Sequence, residues 1–487
     1  MCGILMVRSR DPIPLKKHLE AMKLIASRGP DFSRYRYERG TFIAQTVLHI
    51  TGARDYYDNS PRNFLAYNGE IYNYRDLGAY TTDTEFVHEC VEQDLGRLKA
   101  GWGPWAWAWT DNTTVLYATD PQGERALYQY QDDSILIVCS EVAPILTYIN
   151  ARKQAQPYAT RNWTMLDATP WSGISRCVPG MLYRDGHPAG AIDSIWSWIR
   201  EPQAQTEDEA YEEFASRWRG VMRQMTPACD VALTYSGGLD SSIILSHLPG
   251  AYIYTTNMRG KDPISERVEG FLTAGERNRL ARFDVDEQDF ALAFAACQQR
   301  IQMPIQTGSF VGQWLIAALC GQRVIFTGIG ADELFGGYTV YRDMKFTSEA
   351  SASPYSRDTP LWRQCRDVCS GDAEAATLLA DYWHQIVGCD ARAADVINGA
   401  YGIEARSPFL ARPIMELALN LPMELRRGKP LIKRMFLERW TEAQIHEKKG
   451  FTGHCNDAIP WMGIEITPTG DRQQDWQQVL QRSFYAD

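Results

Sequence analysis

The octapeptide Tyr235-Ser236-Gly237-Gly238-Leu239-Asp240-Ser241-Ser242 constrains this chain more than any other stretch. It joins an apolar run, 231–235, to a helical run, 241–247. A buried strand that turns through paired glycines into a helix lets the backbone close on an anion, so Tyr235, Ser236, Gly237, Gly238, Ser241 and Ser242 form a candidate phosphate cradle. The Gly-Lys-Ser/Thr ending of a P-loop is absent. A second junction of the same kind follows the apolar run 324–326 and reads Thr327-Gly328-Ile329-Gly330-Ala331-Asp332-Glu333-Leu334-Phe335-Gly336-Gly337-Tyr338. Around these junctions the spacing predicts helices over 208–225, 288–302 and 312–319 and a strand over 251–255. Alternating strands and helices predict a parallel sheet with sites at the strand C-terminal ends.

Asp240 beside a phosphate cradle needs a cation to offset the repulsion, and magnesium held by carboxylates and phosphate oxygens supplies it. Asp332 leaves the second strand end. The two carboxylates are therefore expected to converge on one metal–pyrophosphate cluster.

The first 200 residues have a different texture. Short runs rich in β-branched and aromatic residues, at 42–50, 64–67, 105–109, 115–119 and 135–139, predict strands, and helices are expected at 15–27 and 83–95. Trp105, Trp107 and Trp109 share one strand face, with Ala106 and Ala108 on the other. Small residues on one face suit close packing of a second sheet, so a layered sandwich is expected rather than a base-stacking surface. Residues 202–206, Pro-Gln-Ala-Gln-Thr, read as a linker. The chain has 487 residues, which predicts about two to four domains, most simply two large ones. Its formal charge of -10 argues against nucleic acid as a partner, and no apolar stretch reaches membrane-spanning length. Eleven scattered cysteines without a CxxC pair argue against a disulfide framework or a zinc ribbon.

One cysteine stands apart by position. In Met1-Cys2-Gly3-Ile4, removal of Met1 would give Cys2 a free α-amine beside its thiol, and that amine can act as the thiol's general base. Such an N-terminal nucleophile suits amide hydrolysis. Asn68 and the Gly69 amide, in Asn68-Gly69-Glu70-Ile71-Tyr72-Asn73, can form an oxyanion hole, and Asp83 can accept the amine of a bound amino acid.

The Ser-Gly-Gly-x-Asp-Ser order resembles the pyrophosphate loop of ATP pyrophosphatases. Together with Cys2, Arg28-Gly29-Pro30-Asp31, Thr82-Asp83-Thr84-Glu85, Thr119-Asp120-Pro121, Ser140-Glu141, Gly402-Ile403-Glu404-Ala405-Arg406-Ser407-Pro408-Phe409-Leu410 and Lys448-Lys449-Gly450-Phe451, the chain resembles the glutamine-dependent asparagine synthetases. These join a class II glutamine amidotransferase to a synthetase domain. The resemblance implies a four-layer αββα Ntn-hydrolase sandwich over 1–200 and an α/β ATP-pyrophosphatase domain with a helical C-terminal part over 201–487. It implies ATP and Mg2+, with glutamine and a small carboxylate, aspartate, as further substrates. It implies Cys2, Asn68, Gly69 and Lys448 as catalytic groups. Glutamine would be bound by Arg28, Asn68, Glu70 and Asp83. ATP would be bound by the first glycine junction with Thr256, Thr327 and Gly328, and the metal by Asp240 and Asp332. Ile329, Asp390, Glu404 and Arg406 are candidates for the acceptor site. A cytoplasmic enzyme, without membrane or nucleic-acid partners and with a homodimer as its assembly, completes these expectations. The implied mechanism releases ammonia from glutamine at Cys2 and passes it through an internal channel to an acyl-adenylate.

Two positions depart from the family pattern. The family's carboxylate-binding Arg falls on Val47 here, and no Arg lies between Gly40 and Gly52; either Arg34 or Arg54 replaces it from a neighbouring loop, or glutamine binds weakly. Asparagine synthetases place an acidic residue where this chain has Ile329. Either Asp390 or Glu404 takes over its role, or the acceptor is a bulkier, less polar carboxylate. An amidotransferase or lactam-forming ligase on another acceptor, and a homologue with an inactive glutaminase half, remain the alternatives. Cys2 argues against lactam formation, which needs no ammonia.

Overall fold

A computed structural model describes residues 1–50, 63–153, 167–202, 205–258, 264–305, 307–338, 341, 360–445, 464, 467, 478–479 and 482–484. Eleven strands build the first half: β1 (Gly3–Ser9), β2 (Phe32–Glu38), β3 (Thr41–Val47), β4 (Phe64–Gly69), β5 (Trp105–Thr110), β6 (Val115–Thr119), β7 (Tyr128–Gln131), β8 (Ile135–Cys139), β9 (Ile174–Arg176), β10 (Met181–Arg184) and β11 (His187–Ala191). They form two antiparallel sheets, ordered β2-β3-β1-β8-β7-β9 and β11-β10-β6-β5-β4. Alternation along each strand decides the layering. Ile4 and Met6 of β1, Ile43 of β3 and Ala106 and Ala108 of β5 pack between the sheets. Leu5, Val7, Phe42 and Ala44 face outward onto helices α1 (Leu15–Lys23) and α3 (Val142–Leu146). Trp105 and Trp107 face the other way, onto Phe86, Val87 and Cys90 of α2 (Asp83–Gln93). The result is an αββα sandwich, and the alanines of the tryptophan strand are what let its sheets approach.

The second half carries a five-stranded sheet ordered β14-β13-β12-β15-β16, every pair parallel. Its strands are β12 (Val231–Thr234), β13 (Tyr252–Met258), β14 (Leu280–Val285), β15 (Val324–Phe326) and β16 (Glu404–Arg406). Helix α4 (Glu207–Met225) leads into it through a capping box in which Thr206 and Glu209 satisfy each other's backbone N–H groups. The chain runs from β12 outward to β13 and β14, then returns to place β15 on β12's other side. The switch point therefore lies between β12 and β15, where open parallel sheets bind ligands. The glycine turn after β12 is followed by helix α5 (Leu239–Leu245).

The sequence reading did not anticipate β14, β16 or a nine-residue π-helix, Tyr382–Asp390. The strand expected over 42–50 ends at Val47. Among the described residues no helix is long and apolar enough to cross a membrane, and the ten described cysteines are free.

The halves are locked together by buried polar contacts. Arg28, fully buried, donates through Nη2 to both carboxylate oxygens of Asp395 at 2.9 Å. Arg300 bonds Glu141 at 2.9 Å, and the Tyr382 hydroxyl donates to the Gln122 carbonyl at 2.8 Å.

Candidate active site

Strand β1 starts at Gly3, whose position for a Cβ is filled by Thr46 Oγ1 at 2.6 Å. Ser140 pins the strand by accepting from the Ile4 N–H at 3.0 Å. These contacts hold Cys2 against the end of β4, where its N–H donates to Asn68 Oδ1 at 2.7 Å. Asn68 Nδ2 is buried and has no protein acceptor among the described residues, so it can donate to a bound oxygen. Gly69 admits no side chain, because a Cβ there would lie 2.4 Å from the Pro104 carbonyl. Burial raises the Cys2 thiol above its ordinary pKa, whereas the nearby N-terminal ammonium, the Leu48 N–H and the Gln45 side chain pull it down. Asp83, at the start of α2, accepts from Tyr67 Oη at 2.9 Å and from the Ile71 N–H at 3.1 Å. Its burial lifts the carboxyl to about 6.

Gln45 and Leu48 were missed by sequence reasoning. The available signal was one amide side chain in the apolar run of β3. Gln45 donates to the Tyr67 carbonyl at 2.5 Å and accepts from Arg34 Nη2 at 2.8 Å. Arg34 also reaches the Leu65 carbonyl at 2.6 Å and covers the Phe64 ring. It thus braces Gln45. Val47 is buried at the end of β3, and Arg54 lies outside the described residues.

Three of the expected site residues lie elsewhere. Arg28 is not placed to take a ligand carboxylate: besides Asp395 it donates Nη1 to Glu141 at 3.1 Å and Nε to the Cys2 carbonyl at 2.9 Å. The side chains of Glu404 and Arg406 meet groups of the N-terminal half. Glu404 Oε2 takes the Met1 ammonium at 3.1 Å, and Arg406 Nε donates to Glu404 Oε1 at 2.8 Å. Arg406 also lies over the Tyr72 ring and 3.8 Å from Glu70. Strand β16 pairs parallel with β15, with Glu404 opposite Val324 and Arg406 opposite Phe326. Burial, Glu404 and Asp83 push the Glu70 carboxyl well up, whereas the N-terminal ammonium, Arg406 and Arg125 outweigh burial and hold Glu404 down.

The two glycine junctions meet at the switch point. Gly237 takes φ +67°, a conformation glycine adopts without strain. A Cβ on Gly328 would touch the Asp240 Cβ at 3.1 Å, so the loops abut. Tyr235 Oη and Ser242 Oγ lie 3.1 Å apart, and Ser236 Oγ and Ser241 Oγ 3.3 Å apart. Thr256 lies two residues past Tyr254, the partner of Thr234, and so sits at the same sheet edge. Thr327 Oγ1 pairs with Ser407 Oγ at 3.0 Å.

Asp240 and Asp332 do converge on one cation, which is a lysine. Lys429 Nζ lies 2.6 and 2.7 Å from the Asp240 oxygens and 2.7 Å from Asp332 Oδ1. Gly337 makes room, since a Cβ there would strike Lys429 Cε at 2.1 Å. Asp240 and Asp332 are hard oxygen donors of the kind magnesium takes, and Lys429 Nζ fills the space between them in this structure. Lys429, between Gly428 and Pro430 and in the left-handed region at φ +64°, was missed as well, and the sequence held no signal for its role. Lys448 lies outside the described residues.

Ile329 packs against the apolar cores on both sides of the sheet. Nearby, Tyr338 Oη donates to Glu333 at 2.5 Å. Desolvation lifts Asp390 to about 7, and desolvation with the adjacent Asp390 lifts Glu333 to about 7.

Residues 1–188 match the family profile of the glutamine amidotransferase domain, and residues 219–454 match that of asparagine synthase. Asparagine synthetase [glutamine-hydrolyzing] of Gallus gallus is 24% identical, across 90% of this chain and 80% of its own. This chain belongs to the asparagine synthetase family. The Homo sapiens asparagine synthetase, also 24% identical, aligns with 91% of this chain and 81% of its own length. A solved glutamine phosphoribosylpyrophosphate amidotransferase from B. subtilis, complexed with ADP and GMP, is 12% identical, covers 80% of this chain and 96% of its own, and superposes with a TM-score of 0.31, too low to bear on the site.

Proposed function

We propose that the chain is an ATP-dependent, glutamine-hydrolysing amide synthetase, with a glutaminase domain over 1–200 and a synthetase domain over 201–487. The observation that carries this reading is the Cys2–Asn68 pair, with Asn68 Nδ2 left open, in one chain with two glycine junctions at a parallel-sheet switch point. With Met1 removed, the Cys2 amine takes the thiol proton and the sulfur attacks the side-chain amide carbon of glutamine. Asn68 Nδ2 and the Gly69 N–H hold the oxyanion. The amine then passes the proton to the leaving ammonia, and water clears the γ-glutamyl thioester. Asp83 holds the glutamine ammonium.

In the second domain an acceptor carboxylate attacks the α-phosphorus of ATP and pyrophosphate leaves. Ammonia then displaces AMP from the acyl-adenylate. The activation is required because amide formation from a free carboxylate is uphill in water. Asp240 and Asp332 would hold Mg2+, which neutralises charge on the pyrophosphate. Lys448 is the family's lysine beside the adenylate. The base that the family's acidic residue would supply falls to Asp390 rather than Glu404, because Glu404 is committed to the N-terminus.

The acceptor expected from the family is aspartate. A second reading, another and less polar carboxylate, is favoured by Ile329 and its apolar packing. A screen of carboxylic acids for AMP and pyrophosphate release, with glutamine or ammonium as donor, separates the two. Aspartate should give the largest rate under the first reading and no more than background under the second. ADP and phosphate as products would refute the adenylate route altogether.

Asp83 gives a pH prediction. Its carboxyl is raised to about 6, so it is ionised above that pH and loses its charge below. The KM for glutamine should therefore climb about tenfold per pH unit below 6. The kcat should not follow, because bound ammonium keeps the loaded carboxylate ionised. A flat KM between pH 5 and 7 would remove Asp83 from the amino-acid site.

A further inference from the structure

Strand β16 touches both sites. At its first residue, Glu404, 1% exposed, takes the N-terminal ammonium at 3.1 Å. At its last, the Arg406 carbonyl accepts from the Thr327 N–H at 2.9 Å, one residue before Gly328. The next residue, Ser407, meets Thr327 by its hydroxyl. A strand of the synthetase sheet thus closes the wall of the Cys2 pocket.

We infer that Glu404, contributed by the synthetase half, is a positioning residue for the α-amine of the glutaminase nucleophile. The inference rests on the reading of Cys2 as an N-terminal nucleophile. Removing Met1 moves the terminal amine to Cys2 N, three bonds or about 3–4 Å along the backbone. That nitrogen already has one acceptor, Asn68 Oδ1. A free ammonium carries two further protons, which need acceptors in a pocket where Met1 and Cys2 are 1% and 9% exposed.

Among the described residues, charged groups from several segments surround this spot. Arg28 holds the Cys2 carbonyl and is neutralised by Asp395 and Glu141. Asp83 is turned onto Tyr67 and Ile71. Glu70 also feels the terminal ammonium, but burial and Glu404 push its carboxyl up and so weaken it as an anion. Arg125 and Arg406 are cations beside Glu404. Glu404 is the carboxylate that the terminal ammonium meets in this structure, at 3.1 Å. It sets the amine's orientation and favours its protonated form. The base of one site would then be held by an element whose other end is bonded to Thr327, beside the second glycine junction.

The test uses the full chain, with Met1 removal verified by intact mass. Glutaminase kcat is followed against pH for wild type, Glu404→Gln and Glu404→Asp, with ammonium-dependent AMP formation measured beside it. Loss of the anion should move the acidic limb of kcat about one pH unit lower in Glu404→Gln. Glu404→Asp, which keeps the charge one methylene further back, should move it the same way by less. An unmoved limb, an upward shift, or equal shifts in both variants would overturn the inference. Should Glu404→Gln fail to fold, the Glu404→Asp limb decides alone, and no shift counts against Glu404. A wild type that hydrolyses no glutamine after losing Met1 would instead overturn the Cys2 reading itself, whatever the variants do.

Discussion

Arg28→Met should lower the unfolding free energy by about 3 kcal/mol, at the lower end of the 3–5 kcal/mol typical of breaking a buried ion pair from one side. Methionine keeps much of the volume but none of the charge. Asp395 would lose two bonds of 2.9 Å in a site with no exposure, and its remaining partner, Arg125, stands 3.6 Å away. Glu141 is better protected, because Arg300 still reaches it at 2.9 Å, which places the cost at the lower end. The double variant Arg28→Met, Asp395→Leu should recover most of the loss, since it removes the stranded charge as well as its partner. Denaturant midpoints of the three variants measure this. A loss under 1 kcal/mol in the single variant would show that the pair is not what joins the halves. Because Arg28 also holds the Cys2 carbonyl, the single variant should in addition slow glutamine hydrolysis.

That pair shows where the sequence stopped being informative. Motifs that act locally were legible. The glycine junctions announce themselves because a strand-to-helix turn that closes on an anion gathers glycines within a few positions, and the tryptophan–alanine alternation announces a sandwich because a strand has period two. Arg28, Glu404 and Arg406 were assigned to ligands because they lie inside recognisable motifs. Their partners, Asp395 at 367 positions from Arg28 and the N-terminal ammonium at 403 from Glu404, are set by how the two halves dock. No local pattern encodes that. Strand β16 has three residues, two of them charged, which no periodicity identifies as a buried strand. Lys429 belongs to the same class: a lysine preceding a helix carries no sign that two aspartates from other strand ends will close on it.

The same separation of local from docked features bears on the largest activity effect. Cys2→Ala should reduce glutamine-dependent AMP formation by at least about a thousandfold, whereas ammonium should restore it. The substitution removes one sulfur atom from a position that is 9% exposed, so it costs little packing. The backbone N–H that meets Asn68 and the carbonyl held by Arg28 are kept. The residual rate would come from the oxyanion donors and glutamine binding alone, which orient the amide for water without a nucleophile. Under the proposed function ammonium should bypass the sandwich, since the second domain would need only free ammonia. Loss of the ammonium-supported rate as well would mean that the Cys2 pocket and the nucleotide loops are not separable functions. Glutamine hydrolysis by Cys2→Ala at the wild-type rate would exclude the thioester route, whichever carboxylate the second site activates.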